Sequence, residues 1–238
     1  MKITLAMLTY NSGKYIPESI GNMLPYVDEL VATVDTRTTD NTRQILDEMS
    51  LKTGKVRWKE YIWKHNYSEA KNELIRMIVP IGRDSWMLIW DDDEKIADKD
   101  CKKFVDYIRS INSNYTIGGL TVPRKNHYPL WTYDEEDYLK CYYPDRHMIA
   151  VRRLDGLGYD SIVHEWASNS VLQRGYKIIN YDEISTHHHA WRGDKDNYML
   201  GKARYYDALS TLGNSWDGNV NNVKDANVKK WLEWEYKG

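Results

Sequence analysis

The sequence predicts an α/β protein with a mostly parallel central sheet, flanking helices and a β-richer C-terminal half. Three observations carry this. Over the first ~95 residues, short apolar runs alternate with helical segments three times before a fourth run, the pattern of a parallel sheet with helices on both faces. Two of those runs end on acids, at Asp35 and at Asp91-Asp92-Asp93-Glu94. Beyond residue 112 the helical periodicity gives way to strand-like segments.

The elements follow in order. Ile3 to Leu8 reads as a first strand, broken by Tyr10-Asn11-Ser12-Gly13. A helix is expected from Lys14 to Leu24, with Pro17 in its first turn, where a missing N–H does no harm. Glu29 to Val34 is a second strand ending on Asp35. The polar stretch Thr36 to Thr42 is turn-forming, and Thr39 or Asp40 is placed to cap a helix with Ile45, Leu46 and Met49 on one face. Lys55 to Ile62 alternates and gives a third strand. After a loop at Trp63 to Tyr67, Ser68 is expected to cap a helix whose Ala70, Leu74, Met77 and Ile78 form one stripe. Asp84 to Trp90 is the fourth strand. Its unbroken run Trp86-Met87-Leu88-Ile89-Trp90 fits a strand buried on both faces.

Asp98 to Ile111 is an amphipathic helix through Cys101, Phe104, Val105 and Ile108. Strands with loops are expected at Tyr115 to Trp131, Tyr138 to Tyr142 and Met148 to Arg153. Gly156 to Tyr159 is a turn, and Val163 to Trp166 a short extended piece. Val171 to Ile179 and Ile184 to His189 read as two more strands. Asn197 to Leu212 and Val223 to Tyr236 read as helices. With no linker or repeat, residues 1–238 are expected to form one domain.

Composition removes several classes. The net charge of -2 gives no bulk attraction to nucleic acid or anionic membrane. No apolar stretch approaches the roughly 20 residues of a membrane span, and the apolar N-terminus is too short for a signal peptide. Two cysteines without metal spacing fit a reducing compartment. The expectation is a cytoplasmic protein. Ten Trp and 19 Tyr stand against one Phe; such rings suit sugar faces and interfaces as well as cores. Neither GxGxxG nor GxxxxGK[ST] is present, so neither of those phosphate cradles is expected.

The acid run is the strongest chemical signal. Strand ends in open α/β sheets form the ligand-binding edge. Four adjacent carboxylates raise each other's pKa unless a cation compensates, and hard cations take carboxylate oxygens. The plainer reading is a solvated acidic turn. On an extended chain Asp91 and Asp93 share a face and Asp92 takes the other. The His187-His188-His189 run adds a metal signature, with His188 facing opposite to its neighbours. Lys71, early in a helix near the same edge, is placed to meet an anion as a point charge.

Four segments together resemble the inverting glycosyltransferases of family 2, which have the GT-A fold. Leu8-Thr9-Tyr10-Asn11 is similar to the family's opening strand and turn. Val34-Asp35-Thr36-Arg37-Thr38-Thr39-Asp40-Asn41-Thr42 is similar to its V-D-x-x-S-x-D-x-T segment, with Thr38 for Ser. Ser68-Glu69-Ala70-Lys71-Asn72 resembles its A-[RK]-N helix start, and Asp91-Asp92-Asp93-Glu94 its D-x-D motif. Later segments (Tyr143-Pro144-Asp145-Arg146, Arg152-Arg153, Val163-His164-Glu165 and the histidine run) resemble a subgroup with a VHE segment.

The resemblance implies a sugar transferase that uses a nucleoside-diphosphate sugar, a UDP-sugar being the expected donor, with Mn2+ or Mg2+ on the leaving diphosphate. It implies metal ligands at Asp91 and Asp93, with His188 as a third. It implies donor contacts from Thr9, Tyr10, Asn11, Asp35, Lys71, Asp91 and Asp92, with Asp35 on the base. Inverting transfer needs one base for the acceptor hydroxyl. Glu165, with His164 beside it, is the candidate; Asp137 and Asp145 are second choices, and a structural Glu165 paired to Arg146, Arg152 or Arg153 is the alternative. Residues 1–112 would then bind the donor, 113–212 face the acceptor, and 213–238 add a terminal helix. Competing classes are a non-catalytic carbohydrate-binding protein, which leaves the acid run unexplained, a nucleotidyltransferase, which lacks its Gly-rich loop here, and a histidine-cluster metallohydrolase.

Overall fold

The computed structural model describes residues 1–127, 143–161, 167–189, 195–213, 216 and 219–233, with 195–202 by backbone. Strand β1 (Lys2–Thr9) lies parallel between β2 (Glu29–Asp35) and β4 (Ser85–Asp91), and β3 (Val56–Tyr61) adds outside β2, also parallel. Helices α1 (Ile16–Ile20), α2 (Thr42–Thr53) and α3 (Tyr67–Arg76) make the crossovers. The alternation of the pleat sorts the core. Ile3, Leu5 and Met7 of β1 pack with Leu30, Ala32 and Val34 on one face, and Ala6, Val31 and Met87 meet Leu74 and Ile75 of α3 on the other. Each such fully buried aliphatic side chain is worth roughly 1.5–3 kcal/mol.

The second half extends the same sheet. Strand β5 (Glu94–Ile96) and helix α4 (Asp98–Ser110) follow the acids, then β6 (Ile117–Asn126), β7 (Asp145–Arg152), α5 (Ser168–Leu172), β8 (Lys177–Asn180) and β9 (Thr186–His188). The order is β3-β2-β1-β4-β7-β6-β9-β5, with β8 also on β6. Three pairings are antiparallel: β4 with β7, β6 with β7, and β5 with β9. Helices α6 (Lys195–Leu212) and α7 (Ala226–Leu232) close a separate aromatic cluster in which Tyr205, Leu209 and Leu232 meet Trp63 and Tyr67. No helix among the described residues is long and apolar enough to cross a membrane.

Several local expectations change. The first helix stops at Ile20 and continues as turns to Tyr26, because Gly21 and Pro25 do not sustain it. Helix α3 is capped by Asn66, whose Oδ1 accepts from Glu69 N at 2.9 Å, while Ser68 donates to Asp160 O instead. Val171 and Leu172 end a short helix rather than start a strand. Gly175, at φ +76°, turns the chain before β8 begins. The expected strand at Tyr138 to Tyr142 and extended piece at Val163 to Trp166 lie outside the described residues.

Candidate active site

Parallel strands β2, β1 and β4 end side by side, with Thr9 beside Val34 and Leu8 beside Asp91 in register. Asp35, Thr9, Tyr10 and the acid run therefore share one edge, where a parallel sheet leaves its ligand crevice. Asp35 is buried and held by Arg37: Nε donates to Oδ1 at 3.1 Å, Nη2 to Oδ2 at 2.7 Å, and the Arg37 backbone N–H to Oδ1 at 2.9 Å. The guanidinium lies over the Tyr10 ring, 5.2 Å from its centroid. Asn11, at φ 48°, accepts from Thr39 N at 2.8 Å and braces the 36–42 turn. The N-cap position of α2 falls on Asn41, one residue beyond the expected Thr39 or Asp40, and Asn41 makes no side-chain cap bond; Asp40, just before it, accepts instead from Thr42 N through Oδ1 at 2.9 Å. A Cβ at Gly13 would sit 2.1 Å from Asn41 Oδ1 and 3.0 Å from Thr42 N, so any larger residue there would displace the Asn41 side chain.

The four acids do not continue as an extended chain. Asp91 ends β4, Asp92 and Asp93 form a turn, and Glu94 starts β5, so strict alternation of faces fails across them. Asp92 turns toward the end of β1, where it accepts from Thr9 Oγ1 at 2.9 Å and from Ser12 Oγ. Glu94 and His188 are direct cross-strand partners in the β5–β9 pair, which puts their side chains together on one face. One ligand atom each from Asp91, Glu94 and His188 lie within 4.8 Å of one another. Asp93 stands beside this group, its Oδ1 3.6 Å from His188 Nε2. His188 Nδ1 is 2.8 Å from Asn126 Oδ1; a hydrogen donated there leaves Nε2 as the lone-pair nitrogen facing the acids.

The charges explain each group's state. Burial raises Asp91, but Lys71, 3.8 Å away, with His188 and Arg124 outweighs burial and the repulsion of Asp93, so Asp91 is held below the usual carboxylate range. Glu94 is 1% exposed, and burial with repulsion from Asp91 and Asp93 drives it well above that range despite Arg124 at 3.4 Å. Two carboxyl groups and an imidazole, one carboxyl fully buried and under repulsion from its neighbours, form a donor set that a divalent cation would relieve. Burial and Arg124 push His147, 3.6 Å from Glu94, down to about 3, so it is neutral. Lys71 also lies over the Tyr159 ring at 5.5 Å.

Of the residues the sequence singled out, Thr9, Tyr10, Asp35, Lys71, Asp91, Asp92, Asp93 and His188 lie along this edge. Glu165 and His164 lie outside the described residues, as does Asp137. Asp145, a second-choice base, is ill suited: burial raises it, but Asn126 and Arg124, whose Nε is 2.8 Å away, hold it low. Arg152 is fully buried, bonds the carbonyls of Ile117, Arg83, Asn112 and Asn114, and stacks on Trp86; Arg153 bonds Ile75 O and Leu154 O. Arg146 pairs with Asp182. Glu94, Arg124, His147 and Asn126 were not singled out as primary site residues. Only the adjacency of Glu94 to the acids is a sequence signal; the other three arrive through long-range pairing of β6, β7 and β9.

Residues 4–178 match the family described as "Glycosyl transferase family 2". A Rickettsia bellii protein described as an uncharacterized glycosyltransferase is 22% identical over 244 residues, covering 99% of this chain and 75% of that protein. The fold is similar to S. aureus TarS 1-349 in complex with UDP, at TM-score 0.54 and 16% identity over 92% of this chain and 68% of that one. It is also similar to glucosyl-3-phosphoglycerate synthase from Mycobacterium tuberculosis, crystallised with Mn2+, UDP and phosphoglyceric acid. There the TM-score is 0.53 and the identity 14%, over 89% of this chain and 77% of that one.

Proposed function

The chain belongs to glycosyl transferase family 2 and has the GT-A fold, and from that premise we propose that it moves a sugar from a UDP-sugar to an acceptor hydroxyl, with inversion and with Mn2+ as cofactor. The observation that carries the metal-dependent reading is the convergence of Asp91, Glu94 and His188 next to Lys71 at the edge where β1, β2 and β4 end. Asp91, Glu94 and His188 would hold the cation, with Asp93 beside them. When bound, such a cation supplies positive charge against the diphosphate as it leaves.

The chain's own residues do the rest. Lys71 adds a fixed point charge for the phosphates. Asp92 ties Thr9 and Ser12 to the acid turn, so the two sides of the crevice keep their spacing. Asp35 accepts from the base and Tyr10 offers it a flat face. Asn11 positions the turn that carries Asp35's neighbours. Glu165, with His164 beside it, takes the acceptor proton as the new glycosidic bond forms.

A donor screen tests this. The protein is incubated with several nucleotide sugars and Mn2+, and nucleoside diphosphate release is measured with and without candidate sugar acceptors. Release from a UDP-sugar that stops on chelation and falls at least a hundredfold in Asp91→Ala is expected. If no nucleotide sugar is consumed, or if release is indifferent to chelator, the metal-dependent reading is wrong.

A further inference from the structure

We propose that Arg37 is a built-in competitor for the donor's base, occupying the subsite between Tyr10 and Asp35 and leaving it when a nucleotide binds. This rests on the donor reading above and adds a residue that sets donor affinity. Asp35 is a buried carboxylate, and a buried charge needs a partner at all times. In this structure Arg37 is that partner, through a two-pronged fork at 3.1 and 2.7 Å. The same guanidinium lies over the Tyr10 ring, 5.2 Å from its centroid. A flat cation held over an aromatic ring while its N–H groups point at a carboxylate occupies the two contacts a nucleobase would use there. A base reading Asp35 through its own N–H and lying on Tyr10 needs the same space and the same oxygens, so the two exclude each other.

The surroundings make the exchange a side-chain event. The backbone of the turn is fixed. Thr36 N donates to Tyr61 O and Thr38 N to Asp35 O, both at 2.9 Å. Arg43 reaches back to Thr36 O at 3.2 Å and Thr38 O at 2.5 Å. Asn11 holds Thr39 from the other side. The Arg37 side chain, by contrast, is 45% exposed, against 5% for Asp35. The arginine can rotate into water at the cost of its fork, whereas the carboxylate cannot follow and must find a new donor. The base supplies that donor. Observed donor affinity is then the base–Asp35 interaction less the Arg37–Asp35 interaction it replaces.

Calorimetric titration of UDP and of GDP, with Mn2+, into the full chain tests this. Arg37→Ala should bind UDP about tenfold tighter than the unaltered protein, the order expected for losing one half-exposed charge-assisted fork. Arg37→Lys, which keeps the charge but not the fork, should fall between. Equal or weaker UDP binding by Arg37→Ala overturns the proposal while leaving the donor reading intact. If neither nucleotide binds the unaltered protein or either variant, the donor reading itself fails and the proposal with it. A measurement on the unaltered protein guards against a variant that folds poorly. By NMR the Arg37 Nε–H should exchange slowly with solvent in the free protein and rapidly once UDP is bound. Slow exchange that persists at saturating UDP shows that the arginine stays, and overturns the proposal.

Discussion

Asp35 and Asp91 end neighbouring strands on one edge of one sheet, yet they stand in opposite electrostatic surroundings. Asp35 is sealed and fully paired by the Arg37 fork within its own turn. Asp91 faces Lys71 at 3.8 Å, and Asp93 and Glu94 crowd it with further carboxyl groups. The first corner is charge-balanced by the Arg37–Asp35 pair, and under the proposal above a neutral planar group would take the arginine's place there. The second gathers three carboxyl groups around Lys71 and Arg124, and under the proposed reading a cation would complete it. Under the proposed donor reading, a single crevice would sort the two ends of a nucleotide sugar, base to one corner and diphosphate to the other.

The largest expected effect breaks this comparison by making the same change at both corners. Asp91→Asn should lower kcat by about a thousandfold, the scale of losing electrostatic stabilisation of a developing charge. Asp35→Asn should instead raise the donor KM about tenfold and leave kcat within a few-fold, because it removes uniform binding. Steady-state nucleoside diphosphate release reads both. If the two variants show the same pattern, the corners are not divided as argued.

A smaller effect sharpens the anionic side. Glu94→Gln keeps the shape of the side chain and removes a carboxyl that burial and its neighbours hold well above the usual range. Without metal the variant should melt higher by about 2–4 °C, the shift that about 1 kcal/mol gives in a chain of this size. Adding Mn2+ should then stabilise the variant less than the unaltered protein, with apparent metal affinity reduced about tenfold or more. An unchanged Mn2+ response would make Glu94 a structural partner of Arg124 only.

The division also marks what the sequence shows. Thr9, Asp35 and Asp91 are legible because each ends an apolar run, and a run is a short-range signal. The parallel strands and helices α2 to α4 are legible for the same reason, as is Lys71 on a helix start. The pairing of Glu94 with His188 is not, since it depends on β9 closing on β5 across most of the chain. Arg124 and His147 reach the site through the antiparallel β6–β7 pair, where no local pattern sets the register. The fork of Arg37 onto Asp35 spans two residues, yet nothing in Asp35-Thr36-Arg37 distinguishes a folded-back arginine from a solvated one. The short helix Ser168–Leu172 was hidden by its Val-Leu pair, which reads equally as a strand start.

The smallest expected effect concerns the balanced corner and its cover. His65 lies between that corner and the aromatic cluster of α6, its Nδ1 3.1 Å from Tyr205 Oη, and burial followed by Arg37 pushes it down to about 4, with Asp35 opposing. The unfolded chain takes up this proton near pH 6.5, before the folded one does. Stability is therefore complete above that value and falls as pH drops from about 6.5 through 4. Allowing for partial solvent screening, the loss attributable to His65 should be about 1–2 kcal/mol in urea unfolding at pH 4.5 relative to pH 7. His65→Asn, which tolerates the positive φ of 53° found there, should flatten that part of the slope. The comparison then becomes quantitative through Arg37. In Arg37→Ala the His65 ring, followed by its NMR shift, should titrate at higher pH than in the unaltered protein, because one cause of its depression is gone. An unmoved titration would mean that the arginine's charge does not reach the cluster, and that the corner's balance ends at Asp35.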